Sequence, residues 1–111
     1  PVEIVVTGRP RPLPPGPDLC AYRVAQESLT NVVKHAGLAT VRIDLDYGET
    51  MLILRISDTG AGANSAESPE GSYGLRGMRE RAALYGGVLT AGNAKDGGFE
   101  VVLCLPIGEA S

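Results

Sequence analysis

Apolar and polar positions alternate most regularly between Thr40 and Tyr47. Val41, Ile43, Leu45 and Tyr47 fall on one face, and Arg42, Asp44 and Asp46 on the other. A period of two is the pattern of a half-buried strand. Gly48-Glu49-Thr50 supplies a turn, and Met51 to Ser57 returns as a more continuously apolar strand, so the pair predicts an antiparallel hairpin. Val88 to Asn93 and Phe99 to Leu105 predict a second hairpin across Ala94 to Gly98, closed by Pro106. Val2 to Thr7 reads as a further strand.

Two segments carry helical spacing instead. Leu19 to Ala36 contains neither Gly nor Pro, follows Asp18 as an N-cap, and meets Gly37 as a stop. Leu75 to Tyr85 places Leu75, Met78, Ala82 and Tyr85 on one stripe and ends at Gly86-Gly87. Gly8 to Pro17 is Pro-rich and reads as a connection that is neither helix nor inner strand. Asp58 to Ser72 holds almost no large apolar residue and reads as a loop. The element order is strand, helix, two strands, helix, two strands. Consecutive hairpins predict an α+β fold, a two-layer sandwich of a mixed, mostly antiparallel sheet with both helices on one face. A Rossmann fold would need alternating strand and helix units.

Composition narrows the class further. The chain has 111 residues, enough for a single domain, with 10 Lys+Arg against 13 Asp+Glu, a formal charge of −3. A mildly acidic balance disfavours non-specific nucleic-acid binding. No apolar run approaches the roughly 20 residues that span a bilayer. The chain lacks an initiating Met, and the expectation is an excised domain of a larger protein. Cys20 and Cys104 both sit in apolar patterns and are expected as buried, reduced thiols.

Three constellations carry candidate chemistry. On the first helix, at about 100° per residue, Glu27, Asn31, Lys34 and His35 fall on one side. Ala25, Leu29, Val32, Val33 and Ala36 are expected as the core side opposite. Asp58 ends the apolar strand on the same face as Leu52, Leu54 and Ile56, and a carboxylate aimed at a core needs a donor. That donor is either the backbone of its own Asp-Thr-Gly turn or a ligand amine, with Gly60 and Gly62 allowing a flat ligand close to the chain. Finally, Gly71, Gly74 and Gly77 straddle the start of the second helix, where free N–H groups and a positive dipole end suit phosphate, with Arg76 and Arg79 adding charge. The spacing is neither a Walker nor a Rossmann motif.

Taken in order, these residues resemble the catalytic ATP-binding domain of sensor histidine kinases in the GHKL superfamily. QESLTNVVKHA (Gln26 to Ala36) is similar to the N box, DTGAG (Asp58 to Gly62) to the G1 box, and GLRGMRERAALYGG (Gly74 to Gly87) to the G2 region. Q-E-x-L-x-N-x-x-K-H-A and G-L-R-G-M-R-E-R resemble the nitrate/nitrite-sensor and DesK-type subfamily. The resemblance covers about Leu13 to Ile107. It implies a single ATP-binding domain over residues 1–111, with ATP and Mg²⁺ as ligands.

Glu27 then corresponds to the general base or orienting carboxylate, and Asn31 to the Mg²⁺ ligand. Lys34 and His35 would face the nucleotide. Asp58 would accept the adenine 6-amino hydrogen, and Gly60 and Gly62 would line the base pocket. Asn64 to Tyr73 would be a mobile lid, and Tyr73, Gly74, Leu75, Arg76 and Gly77 would meet the nucleotide. The family usually places Gly-Thr or Gly-Ser before the last strand, where this chain has Gly98-Phe99, without the hydroxyl.

The single histidine, His35, lies inside the ATP motif, so the phosphoacceptor histidine is expected on an adjacent dimerisation domain. The implied partners are that domain and, through a homodimeric parent protein, a response regulator, with no nucleic acid. The implied location is cytoplasmic, the parent being a candidate for a membrane anchor. The alternatives are an anti-sigma-type serine kinase and a non-catalytic nucleotide-gated interaction module of the same fold.

Overall fold

The computed structural model describes residues 2–36, 39–60, 74–94 and 97–108, the side chains of residues 35 and 36 excepted. Five strands form one sheet, in the order β1-β2-β3-β5-β4. They are β1 (Val2–Gly8), β2 (Val41–Tyr47), β3 (Met51–Asp58), β4 (Val88–Asn93) and β5 (Phe99–Pro106). β1 runs parallel to β2, while β2–β3, β3–β5 and β4–β5 are antiparallel, so the sheet is mixed and mostly antiparallel as its hairpins predict.

The registers put the apolar alternates on one face. Ile43 pairs with Ile56, Leu45 with Leu54, Leu54 with Leu103 and Leu52 with Leu105. Helices α1 (Pro15–Asn31) and α2 (Leu75–Leu84) cover that face. Cys20 and Val24 of α1 and Leu75, Met78 and Ala82 of α2 meet Leu52, Leu54, Ile56, Leu103 and Leu105 in one buried cluster. The other face carries Arg42, Asp44, Arg55 and Glu100, tied by exposed ion pairs such as Arg42–Asp44 at 3.0 Å and Arg55–Glu100 at 3.7 Å.

The Pro-rich connection is shorter than its composition suggests. α1 begins at Pro15, with Pro14 as N-cap, and the Asp18 N–H donates to the Pro14 carbonyl at 2.9 Å. Asp18 is therefore inside the first turn and is not the cap. Pro15 and Pro17 lack only N–H groups that a first turn leaves unpaired, and their fixed φ suits the helix. Ahead of them, Arg11 anchors the connection by donating to the carbonyls of Gly48, Glu49 and Gly108 at 3.2, 2.9 and 2.7 Å.

The orientation of α1 also departs from expectation. Its buried stripe is Cys20, Val24, Ser28 and Asn31, flanked by half-buried Ala21, Ala25 and Leu29, whereas Val33 is 82% exposed. The fully buried stripe lies more than a third of a turn from the side that apolarity alone selects. Ser28 and Asn31 face inward, and Leu19 and Tyr22 face out. Beyond Asn31 the backbone widens into a π-helical turn, Val32–Ala36. Such turns recur at functional sites. Among the described residues no helix is long and apolar enough to cross a membrane. Cys20 is fully buried and Cys104 half-buried, and both are free thiols, so burial holds for the first alone.

Candidate functional site

The C-terminal end of α1, the end of β3 and the start of α2 converge. Ala21 and Ala25 share a groove with Ile43, Leu45 and Leu54. From Ala25 the helix advances about 1.5 Å per residue, which sets Asn31 about 9 Å further along its axis. Asn31 is only 6% exposed and Asp58 8%.

Asp58 is positioned by its strand and its turn together. β2 pairs with β3 as far as Val41 against Asp58. The ladder is then extended by two bonds between Thr40 and Thr59: Thr59 N–H to Thr40 O at 3.1 Å and Thr40 N–H to Thr59 Oγ1 at 2.9 Å. Asp58 Oδ1 accepts the Gly60 N–H at 2.8 Å. The turn thus supplies one donor, and among the described residues no second hydrogen bond reaches the carboxylate. Of the two explanations open in the sequence, the turn accounts for one oxygen and is compatible with the ligand explanation.

Gly98 closes the far side of this carboxylate. Its φ is +81°, and a Cβ there would collide with the Asp58 carbonyl oxygen and lie 3.3 Å from Oδ1. Glycine is thus required at 98 by backbone conformation and by contact at once. The sequence drew attention to Gly98-Phe99 for its missing hydroxyl, but not to the close approach of Gly98 itself to Asp58. The signal was the Gly97-Gly98 pair of positive-φ residues ahead of β5.

Glu27 is exposed on α1 and reaches the head of α2. Its Oε1 lies 2.8 Å from where a Cβ on Gly74 would stand. Gly74 is the N-cap of α2 with φ 67°, ψ 21° and no side-chain cap bond. Among the described residues no side chain caps the first N–H groups of α2, and the positive end of the helix dipole faces the Glu27 carboxylate.

The other expected residues divide. Lys34 is exposed in the π-helical turn, and His35 lies in that turn by its backbone. Leu75 is 1% exposed and belongs to the core, so only its main chain remains for a ligand; its apolar side chain packs with Met78 on the buried face of α2. Arg76 is exposed and paired with Glu80 at 3.3 Å. Arg79 donates from Nε to the Leu89 carbonyl at 3.4 Å. A Cβ at Gly77 would meet nothing within 4 Å, so packing does not demand glycine there. Gly62, Gly71, Tyr73 and the expected lid Asn64 to Tyr73 lie outside the described residues. Phe99 is buried at the start of β5, an apolar ring where a hydroxyl was the usual expectation.

Comparison with known proteins defines the class. Residues 18–109 match the family described as Histidine kinase-, DNA gyrase B-, and HSP90-like ATPase. The chain belongs to that family. It is 32% identical over 109 residues to the sensor protein VraS of Staphylococcus epidermidis, covering 98% of this chain and 31% of the relative. It is 31% identical over 106 residues to the signal transduction histidine-protein kinase/phosphatase DegS of Brevibacillus brevis, covering 96% of this chain and 28% of the relative. The chain thus spans about a third of the length of these relatives. Its fold is that of solved histidine kinases. Acinetobacter baumannii AdeS superposes with a TM-score of 0.75 at 15% identity, over 96% of this chain and 53% of that one. The Erythrobacter litoralis EL346 blue-light-activated histidine kinase domain gives 0.73 at 20% identity, over 96% and 52%. The chain is thus the ATP-binding domain type of sensor histidine kinases, with an α+β sandwich as its fold.

Proposed function

We propose that this domain binds Mg-ATP between the end of α1, Asp58 and the start of α2, and presents the γ-phosphate to a histidine on an adjacent dimerisation domain. The observation that carries the reading is the convergence just described. It is supported by a buried carboxylate with one oxygen held by its turn, an inward asparagine, and a glutamate set against the start of α2, on elements that share one buried cluster.

In this reading Asp58 accepts a hydrogen from the adenine 6-amino group, with Gly60 and Gly62 beside the base. The uncapped N–H groups of Gly74, Leu75, Arg76 and Gly77 receive phosphate oxygens, with Tyr73 next to them and the cations of Lys34 and Arg76 nearby. His35, next in sequence to Lys34, is assigned to the nucleotide side as well. Glu27 orients the attacking imidazole or takes its proton, which needs a carboxylate held close to the phosphate end. Phosphoryl transfer depends on such positioning and on charge stabilisation.

The donor set fits a cation that is shared with phosphates. Among the described residues no group of three His, Cys, Asp or Glu side chains could hold a metal alone. The Asn31 amide oxygen would serve as one hard ligand, with phosphate oxygens completing the sphere, as Mg²⁺ prefers. When bound, the ion neutralises charge on the phosphates.

The parent protein is proposed to be a homodimeric sensor kinase that passes phosphate to a response regulator, with this domain in the cytoplasm. The test is incorporation of radiolabel from ATP. The 111-residue chain, whose only histidine is His35, should bind ATP and stay unlabelled. A longer chain carrying its dimerisation segment should acquire acid-labile, base-stable label outside this sequence. Phosphohistidine on the 111-residue chain would make His35 an acceptor and overturn the assignment.

A further inference from the structure

The inward stripe of α1 contains one group that its surroundings leave unsatisfied. Ser28 is 3% exposed, and its Oγ has no hydrogen-bond partner. A buried hydroxyl without a partner is costly, and a serine within a helix has an easy remedy in the carbonyl four residues back. Thr30 uses that remedy, its Oγ1 donating to Gln26 O at 3.0 Å. Ser28 does not.

Its position suggests why. Ser28 lies one turn before Asn31 on the same buried stripe, about 4.5 Å beyond Ala25 along the helix axis, on the side that packs against β3, the strand that Asp58 ends. Asp58 is an acceptor only, and its turn has filled Oδ1. The strand across from it opens with Phe99, which offers no hydroxyl. A purine edge bearing an amino donor beside a ring-nitrogen acceptor needs one acceptor and one donor from the protein. Asp58 supplies the first, and Ser28 Oγ–H is the unassigned candidate for the second.

We infer that Ser28 is a base-recognition residue: its hydroxyl donates to N1 of adenine, directly or through one water, while Asp58 accepts from the 6-amino group. The inference rests on the nucleotide reading above. It explains a polar residue placed in the core stripe, since the ligand supplies the partner the fold omits. Ser28→Ala then removes an unsatisfied hydroxyl from the empty protein and a hydrogen bond from the complex. Alanine is also the better helix former.

The experiment compares ADP with 1-deaza-ADP, which lacks the N1 acceptor, by calorimetric titration of wild type and Ser28→Ala. Thermal melting of both proteins without ligand is run alongside. Ser28→Ala should melt at or above the wild-type temperature yet bind ADP about fivefold more weakly, the equivalent of one ordinary hydrogen bond. Wild type should lose a similar factor with 1-deaza-ADP, and the two losses should not add. Equal ADP affinity in both proteins, or a full further loss with 1-deaza-ADP in Ser28→Ala, would overturn the role of Ser28 alone. A wild type that binds no ADP would overturn the nucleotide reading and this inference with it.

Discussion

The Glu27 carboxylate stands directly against the Gly74 backbone, with Oε1 2.8 Å from the point that a Cβ on residue 74 would occupy. Gly74 holds φ 67° as the N-cap of α2. One residue therefore joins the two helices of the site, and its lack of a side chain serves both its conformation and its neighbour.

Gly74→Ala should be destabilising on both counts. The left-handed conformation costs a non-glycine residue about 1–2 kcal/mol, and the methyl must displace Glu27. Urea unfolding is expected to report a loss in that range. Adding Glu27→Ala should recover the steric part and leave the conformational part. Full recovery in the double variant would mean that φ at 74 is unstrained.

Glu27 and Asn31 separate by what each variant loses. In a chain joined to its dimerisation segment, Glu27→Gln should lower the rate of histidine phosphorylation more than ATP affinity, because an orienting or basic group acts mainly in the transition state. Asn31→Ala should lower both, since loss of a metal ligand weakens ground-state binding too. Single-turnover labelling over a range of ATP concentrations resolves rate from affinity. An Asn31→Ala protein with unchanged ATP affinity would remove it from the site.

Cys20 gives the fold a pH signature. Burial pushes its thiol above the ordinary value, partly offset by the nearby Arg81 charge. A raised folded pKa means that the folded state binds the proton more tightly. The stabilisation is therefore complete below the ordinary thiol pKa of about 8.5 and is lost as pH rises from there through the folded value. In that window stability should fall by up to about 1.4 kcal/mol per pH unit. Cys20→Ala should abolish that slope, whatever its offset. Half-buried Cys104 should react first with a thiol reagent at neutral pH, and alkylation in the native state followed by peptide mapping checks the order.

Much of this was legible in the chain. Strict alternation from Val41 to Tyr47, and the two hairpins, define the sheet because a one-residue slip would expose every apolar side chain. The start and facing of α1 were not legible. Proline is read as a breaker, yet Pro15 and Pro17 occupy the first turn, where a missing N–H has no consequence. Apolarity pointed to Ala25, Leu29 and Val33 as the core side. The helix instead turns Ser28 and Asn31 inward, an orientation that apolar periodicity does not select and that the proposed nucleotide site would use. Leu75 misled in the opposite sense: it lies within a glycine-rich segment expected to meet phosphate, but its side chain packs in the core. Asp58 was legible from its place in the strand period, and its Gly98 neighbour emerged only from the register of β3 against β5.

The central claim is that adenine nucleotide binds at Asp58, and calorimetric titration of ADP with Mg²⁺ into wild type and Asp58→Asn tests it most directly. One site per chain is expected in the wild type, and an affinity weaker by about 1–3 kcal/mol in the variant, the cost of impairing a buried hydrogen bond. Both proteins should retain the same far-ultraviolet circular dichroism. Equal affinities in two folded proteins would contradict the placement of the base against Asp58.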